Sequence, residues 1–240
     1  MLILLLFCFV YVEAAKKLPP YVQQCYRNDP NLSKCIEKNV EMLQPKLING
    51  IAELKIPNLN PYPLPATQLF WNNLELNMSN IQAYNINDYK VKSIIFNYEE
   101  RTWDMEWIIR EVRIETDYAI RGKIMVFELN TGGKFEGTFR ELSEKYTGTF
   151  DIVDKKGKEY LKVKSTDLKA KSKSERFHFT NVFKDDELNT RANEILNENA
   201  DLITDEVFPA VLKLVKLPVD NVFIQLLETY PADVLFPVKK

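Results

Sequence analysis

Few residues in this 240-residue chain could do covalent or metal chemistry. His178 is the only histidine, set in Arg176-Phe177-His178-Phe179. A catalytic triad needs such a base beside a nucleophile and an orienting carboxylate, yet nothing in the spacing marks Ser172 or Ser174 as that nucleophile. His178 therefore reads as a solvent-facing strand residue. A zinc site fails as well, because one histidine and a disulfide-bound cysteine pair cannot fill four N/S positions. Glu99-Glu100 and Asp185-Asp186-Glu187 lack the alternating oxygen ligands of a calcium loop, and a hairpin turn and a helix N-terminus account for them. Gly132, Gly133 and Gly137 do not form the GxGxxG of a dinucleotide site. Gly122, Gly133 and Gly157 each precede a lysine, with no Ser or Thr following as a phosphate loop requires. The residues thus predict no catalytic group, no cofactor and no metal.

What remains is binding. A net charge of −2 with 28% charged residues argues against a nucleic-acid binder. The stretch from Lys155 to Arg176 holds nine Lys/Arg against three carboxylates. Its alternation, as in Leu161-Lys162-Val163-Lys164, sends the lysines to one wet strand face. Trp103, Trp107 and Tyr118 share the inward parity of their strands and are the residues expected to touch a ligand.

Residues Leu2 to Val12 are an apolar run of eleven, shorter than the ~20 helical residues that a bilayer needs. Val12-Glu13-Ala14 then supplies a small-x-small cleavage pattern, so residues 1–15 are expected to be a signal peptide. Cleavage removes Cys8 and leaves Cys25 and Cys35 as a disulfide pair in an oxidising compartment. Asn31-Leu32-Ser33 and Asn77-Met78-Ser79 are sequons open to glycosylation along that route.

The elements that must position these residues fall into three periodic regions. Leu32 to Ile51 has helical spacing, with Ser33 as the expected N-cap, Gly50 as the stop and Pro45 dividing the run. Pro57, Pro61, Pro63 and Pro65 follow as an extended connector. From Thr67 to Phe183 the pattern alternates with period two, as in Trp103, Met105, Trp107, Ile109 and then Val112, Ile114, Thr116, Tyr118. Turns are expected at Glu99-Glu100, Asn130 to Gly133 and Asp154 to Gly157. Asp186 to Leu217 returns to helical spacing, a single rod of about 45 Å with a bend before Pro209. A rod that long with a continuous apolar face needs a cover of the same length, and the strands are the only candidate. The expected fold class is α+β: a long, strongly curved antiparallel sheet wrapped around a long C-terminal helix, in one elongated domain spanning residues 16–240.

These residues resemble the takeout and juvenile hormone binding protein family, within the tubular lipid-binding fold group. The likeness begins with the Cys25/Cys35 pair and continues through Leu47-Ile48-Asn49-Gly50-Ile51-Ala52-Glu53-Leu54, Ile56-Pro57 and Asn60-Pro61. It goes on with Tyr118 to Ile124, Gly132-Gly133-Lys134-Phe135, Leu188-Asn189, Leu196 to Asn199 and Phe208-Pro209, and ends with Tyr230-Pro231 and Leu235-Phe236-Pro237. Ala52, Glu128, Thr131 and Ala200 depart from the family's usual Pro, Pro, Gly and Trp. The single cysteine pair places the chain nearer the takeout branch. The resemblance implies a secreted, monomeric, non-enzymatic carrier whose internal tunnel holds one small lipophilic ligand, such as a terpenoid or fatty acid. The competing expectation is a secreted protein acting at a surface or receptor through its basic strand, with a merely packed interior.

Overall fold

The computed structural model describes residues 17–71, 73–124 and 127–240. The expected signal peptide, 1–15, lies outside the described residues. Among the described residues, eight strands form one antiparallel sheet. Its spine is a pair of very long strands, β5 (Thr102–Ile124) and β6 (Phe127–Lys155). The remaining strands are β1 (Tyr62–Leu64), β2 (Thr67–Trp71), β3 (Leu74–Tyr84), β4 (Tyr89–Asn97), β7 (Lys158–Lys171) and β8 (Ser174–Phe179).

Each long strand changes its outer neighbour halfway along. β5 pairs with β4 through residues 102–109 and with β3 through residues 113–122. β6 pairs with β8 through residues 135–140 and with β7 through residues 143–155. The same level carries a change of face. Buried residues of β5 are odd-numbered from Trp103 to Ile109 and even-numbered from Val112 to Tyr118. On β6 the inward set runs Leu142, Glu144 and Tyr146, with Glu141 beside it in the left-handed region at φ 48°. Since side chains alternate strictly along a regular strand, this switch marks a local twist that lets a sheet of such length coil.

Two expected turns occur as read. β4 and β5 are joined through Tyr98 to Arg101, and Lys156-Gly157, both with positive φ, makes the two-residue hairpin between β6 and β7. The turn expected at Asn130 to Gly133 does not form. Those residues are paired strand, Asn130 with Arg121 and Gly133 with Tyr118. The glycines serve close approach instead: a Cβ at Gly132 would lie 2.7 Å from the Tyr118 carbonyl oxygen, and one at Gly133 2.4 Å from that of Thr180.

The helical regions keep their expected places with different boundaries. α1 (Leu32–Leu43) has Asn31, with no side-chain capping bond, at its N-cap position rather than Ser33, whose hydroxyl instead accepts from the Phe96 amide at 3.0 Å. Pro45 divides this run as expected, turning it into a 3-10 segment, Gln44–Asn49, that stops at Gly50. The C-terminal rod is two helices rather than one. α2 (Asp186–Glu198) starts at Asp185, whose carboxylate caps the Leu188 amide at 2.9 Å, and ends at Asn199. α3 (Ala200–Thr229) continues past Leu217, and its 30 residues span about 45 Å. The short α4 (Ala232–Leu235) follows.

α3 lies against the concave face of the sheet. Phe223 stacks on Trp103, ring centroids 6.2 Å apart, and meets Tyr146 at 4.8 Å. The Tyr146 hydroxyl, on a side chain with no exposed surface, donates to Asp220 at 2.9 Å, and Glu228 accepts from the Val163 amide at 3.0 Å. α2 has a different task. Asn193 and Asn197 each accept from a β8 amide, Phe179 at 2.7 Å and Phe177 at 2.8 Å, and each donates back to the same residue's carbonyl at 2.8 Å. Asn189 adds a bond from the Val182 amide at 2.8 Å. Spaced four apart on one helix face, these amides present the strand edge with the donor and acceptor pattern of a further strand.

Candidate functional site: an apolar cavity under the sheet

Alternation places a row of large apolar side chains on the inner face of β4, β5 and β6, while α1, the 3-10 segment and α3 close the space opposite. The space is not filled. A cavity of about 350 Å³ remains, within the roughly 300–1,000 Å³ usual for small-molecule sites. Phe96, Trp103, Trp107 and Phe223 belong to one packed cluster of the lining, and Leu47, Leu54, Ile56 and Leu59, with Tyr62 and Tyr89 against them, to another. Cys25, bonded to Cys35 with a Cα separation of 5.7 Å, contributes to the wall and ties the N-terminal segment to α1.

Trp103 and Trp107 line the cavity; Tyr118 does not. Tyr118 lies beyond the switch of face, in the other half of the sheet, where its ring meets Phe179 edge-on at 5.1 Å and its hydroxyl donates to the Thr180 carbonyl at 2.6 Å. Burial pushes that phenol up to about 12. Its inward parity was legible; its position along the strand is what takes it away from the cavity.

The polar groups in the wall are few. Gln23 and Asn39 satisfy one another, the Asn39 amide receiving from the Gln23 amide and donating to its carbonyl, both at 2.8 Å. The Tyr89 hydroxyl donates to the Val40 carbonyl at 3.3 Å, and burial, then the charge of Glu41, raises its pKa. Among the described lining residues no Lys, Arg or His occurs, and one carboxyl does: Glu144, 3% exposed. Its Oε2 accepts from the Trp107 indole N–H at 2.6 Å, and burial pushes its pKa up to about 7 against the opposing pull of that bond. Glu144 is absent from the sequence-derived candidates, although it occupies the inward parity of its strand between Leu142 and Tyr146.

The other sequence candidates lie apart from the cavity. His178 is exposed opposite Glu136, and the buried Ser172 donates its hydroxyl to Glu175. Asn31 is exposed at the start of α1, whereas Asn77 is part of β3 and donates to Glu75 at 2.8 Å. On the basic strand, Lys162, Lys164, Lys169 and Lys171 are exposed, and Lys164 approaches Asp151 at 4.0 Å. Among the described residues no cluster of His, Cys, Asp and Glu could hold a metal, and no helix is long and apolar enough to cross a membrane.

A single curved antiparallel sheet packed on a long C-terminal helix, with an apolar hollow between them, defines the class of fold. The chain belongs to the haemolymph juvenile hormone binding protein family, whose model matches residues 2–237. Among solved structures it is similar to takeout 1 of Epiphyas postvittana, with a TM-score of 0.79 at 14% identity, covering 90% of this chain and all of that one. A weaker likeness is to lipopolysaccharide binding protein, with a TM-score of 0.41 at 9% identity over 78% of this chain and 36% of that one. No curated protein sequence matches the chain.

Proposed function

We propose that the protein is a secreted, monomeric carrier that buries one small lipophilic molecule, terpenoid or acyl, in the cavity and releases it unchanged. Residues 16–240 form the binding domain, and 1–15 direct export. The observation that carries this reading is the unfilled, almost wholly apolar cavity of about 350 Å³ between sheet and α3. Interiors are ordinarily packed to the density of organic crystals, so a hollow of this size is kept for an occupant. Burial of an aliphatic chain contributes about 0.8 kcal/mol per methylene, enough for a dozen carbons to reach micromolar affinity after the cost of association. Family membership supports the same reading. Among the described lining residues no nucleophile is paired with a base, which favours carriage over chemistry.

The test is mass spectrometry of an organic extract of natively purified protein, joined to uptake of a fluorescent apolar probe at low and high salt. A co-purified lipid, and uptake that barely responds to ionic strength, are the expected results. Binding that collapses with salt would instead favour the exposed lysines of β7 as a site for anionic headgroups or a receptor. Neither lipid nor probe uptake would end the carrier reading.

A further inference from the structure

Glu144 is unexplained by apolar carriage alone. A carboxyl in an apolar wall carries a desolvation cost that Leu or Met in its place would avoid. Trp107 holds Oε2 from one side at 2.6 Å, and among the described residues no hydrogen bond reaches Oε1. Among the described lining residues no cation balances it. The neighbouring Lys145 engages Asp104 and Glu106, at 2.8 and 2.9 Å, outside the lining. The residue paired with Glu144 on β7 is Ala170, and α3 brings Val211, Leu212, Val215 and Val219 to the cavity. The result is a built site: an oriented carboxyl, almost wholly buried, with one oxygen engaged and one open, in a hollow otherwise suited to hydrocarbon.

Resting on the carrier reading, we propose that Glu144 is the specificity-determining residue of the cavity, its Oε1 binding the hydroxyl of a lipophilic alcohol whose chain lies along the apolar walls. A hydroxyl is the head group that suits this carboxyl in either protonation state, since it can donate to the carboxylate or accept from the acid. An ether or ester can only accept. A hydrocarbon does neither and leaves a buried polar oxygen unmet, which is how sites built for a hydroxyl reject analogues lacking it. Trp107 acts as a positioning residue, fixing the plane of the carboxyl.

The test is displacement of the neutral probe N-phenyl-1-naphthylamine by 1-dodecanol, 1-methoxydodecane and dodecane at pH 9, where the carboxyl is ionised and has no proton to offer an ether, using the full chain and its Glu144→Met variant. On the wild type, dodecanol should displace the probe at least about tenfold more tightly than the ether. In Glu144→Met that gap should close to within about twofold while the probe still binds. The double variant Glu144→Met/Trp107→Phe, which also removes the indole N–H left without an acceptor, repeats the measurement should the single variant fold poorly. Should neither variant fold, the wild-type ratio of alcohol to ether decides alone. Equal affinity for alcohol and ether on the wild type, or a preference that survives either folded variant, overturns the proposal and leaves the carrier reading intact. Uptake of none of the four compounds overturns both.

Discussion

Trp103 and Gly148 face each other across β5 and β6, and each constrains the other. A Cβ on Gly148 would lie 2.1 Å from Cζ2 of the indole, so the ring occupies the place a side chain would need. Gly148→Ala should therefore destabilise the protein by about 1–3 kcal/mol through overpacking, read as a fall in the urea midpoint at unchanged slope. Glu144 sets a second expectation. Its carboxyl binds its proton up to about pH 7 in the folded chain, against an ordinary value of 4.5. Between those values the folded state holds a proton that the unfolded state has released. The stability due to that proton is complete below about pH 4.5 and lost as pH rises through about 7, some 3 kcal/mol at most. Glu144→Gln removes this dependence. Urea unfolding at pH 5 and pH 8 should show the variant gaining on the wild type as pH rises, and parallel profiles would contradict the assignment. The alternation of β6 already put this carboxyl on the inner face, so it was legible in the sequence. Tyr118 was legible only in part, because parity gives the face of a residue and not the half of the sheet in which it ends.

Among the elements, α2 shows what a strand edge requires. Asn189, Asn193 and Asn197 meet the main chain of β8 and its continuation, so the edge is covered before another chain could pair with it. Asn193→Leu leaves the Phe179 amide without its partner at a largely buried site, while the Phe179 carbonyl keeps only the bond from Asn189 at 3.3 Å. A loss of about 2–4 kcal/mol and faster aggregation on warming are expected, the first by chemical denaturation and the second by light scattering. Periodicity specifies elements of this kind: the strands, the division at Pro45 and a long C-terminal helical region. The misplaced features have local causes. Asn130 to Gly133 looks like a turn because glycine is usually conformational punctuation, yet here its lack of a side chain admits neighbouring backbone. The break at Asn199 interrupts a run whose apolar spacing alone gives no reason to stop.

At the scale of the molecule, the Cys25–Cys35 bond fastens the N-terminal segment, part of the cavity wall, to α1. Closing a loop with a separation of ten residues restricts the unfolded chain by about 3 kcal/mol, so reduction should lower the denaturant midpoint accordingly. Because Cys25 is part of the wall, the same treatment should speed release of a bound probe, measured by stopped-flow chase. The sheath and its rod were legible in the sequence because length and apolar periodicity demand each other. The hollow was not, since a row of Trp, Met and Ile inward-facing residues is the same whether the space opposite is full or empty. The paired strands β5 and β6, which trade neighbours and faces at one level, bear on how this molecule comes apart. Both of its ends are floored by the same two ribbons of chain, leaving no seam along which one end could melt while the other persists. Heat should undo it in a single calorimetric transition, with amides at opposite ends of β5 opening to exchange together.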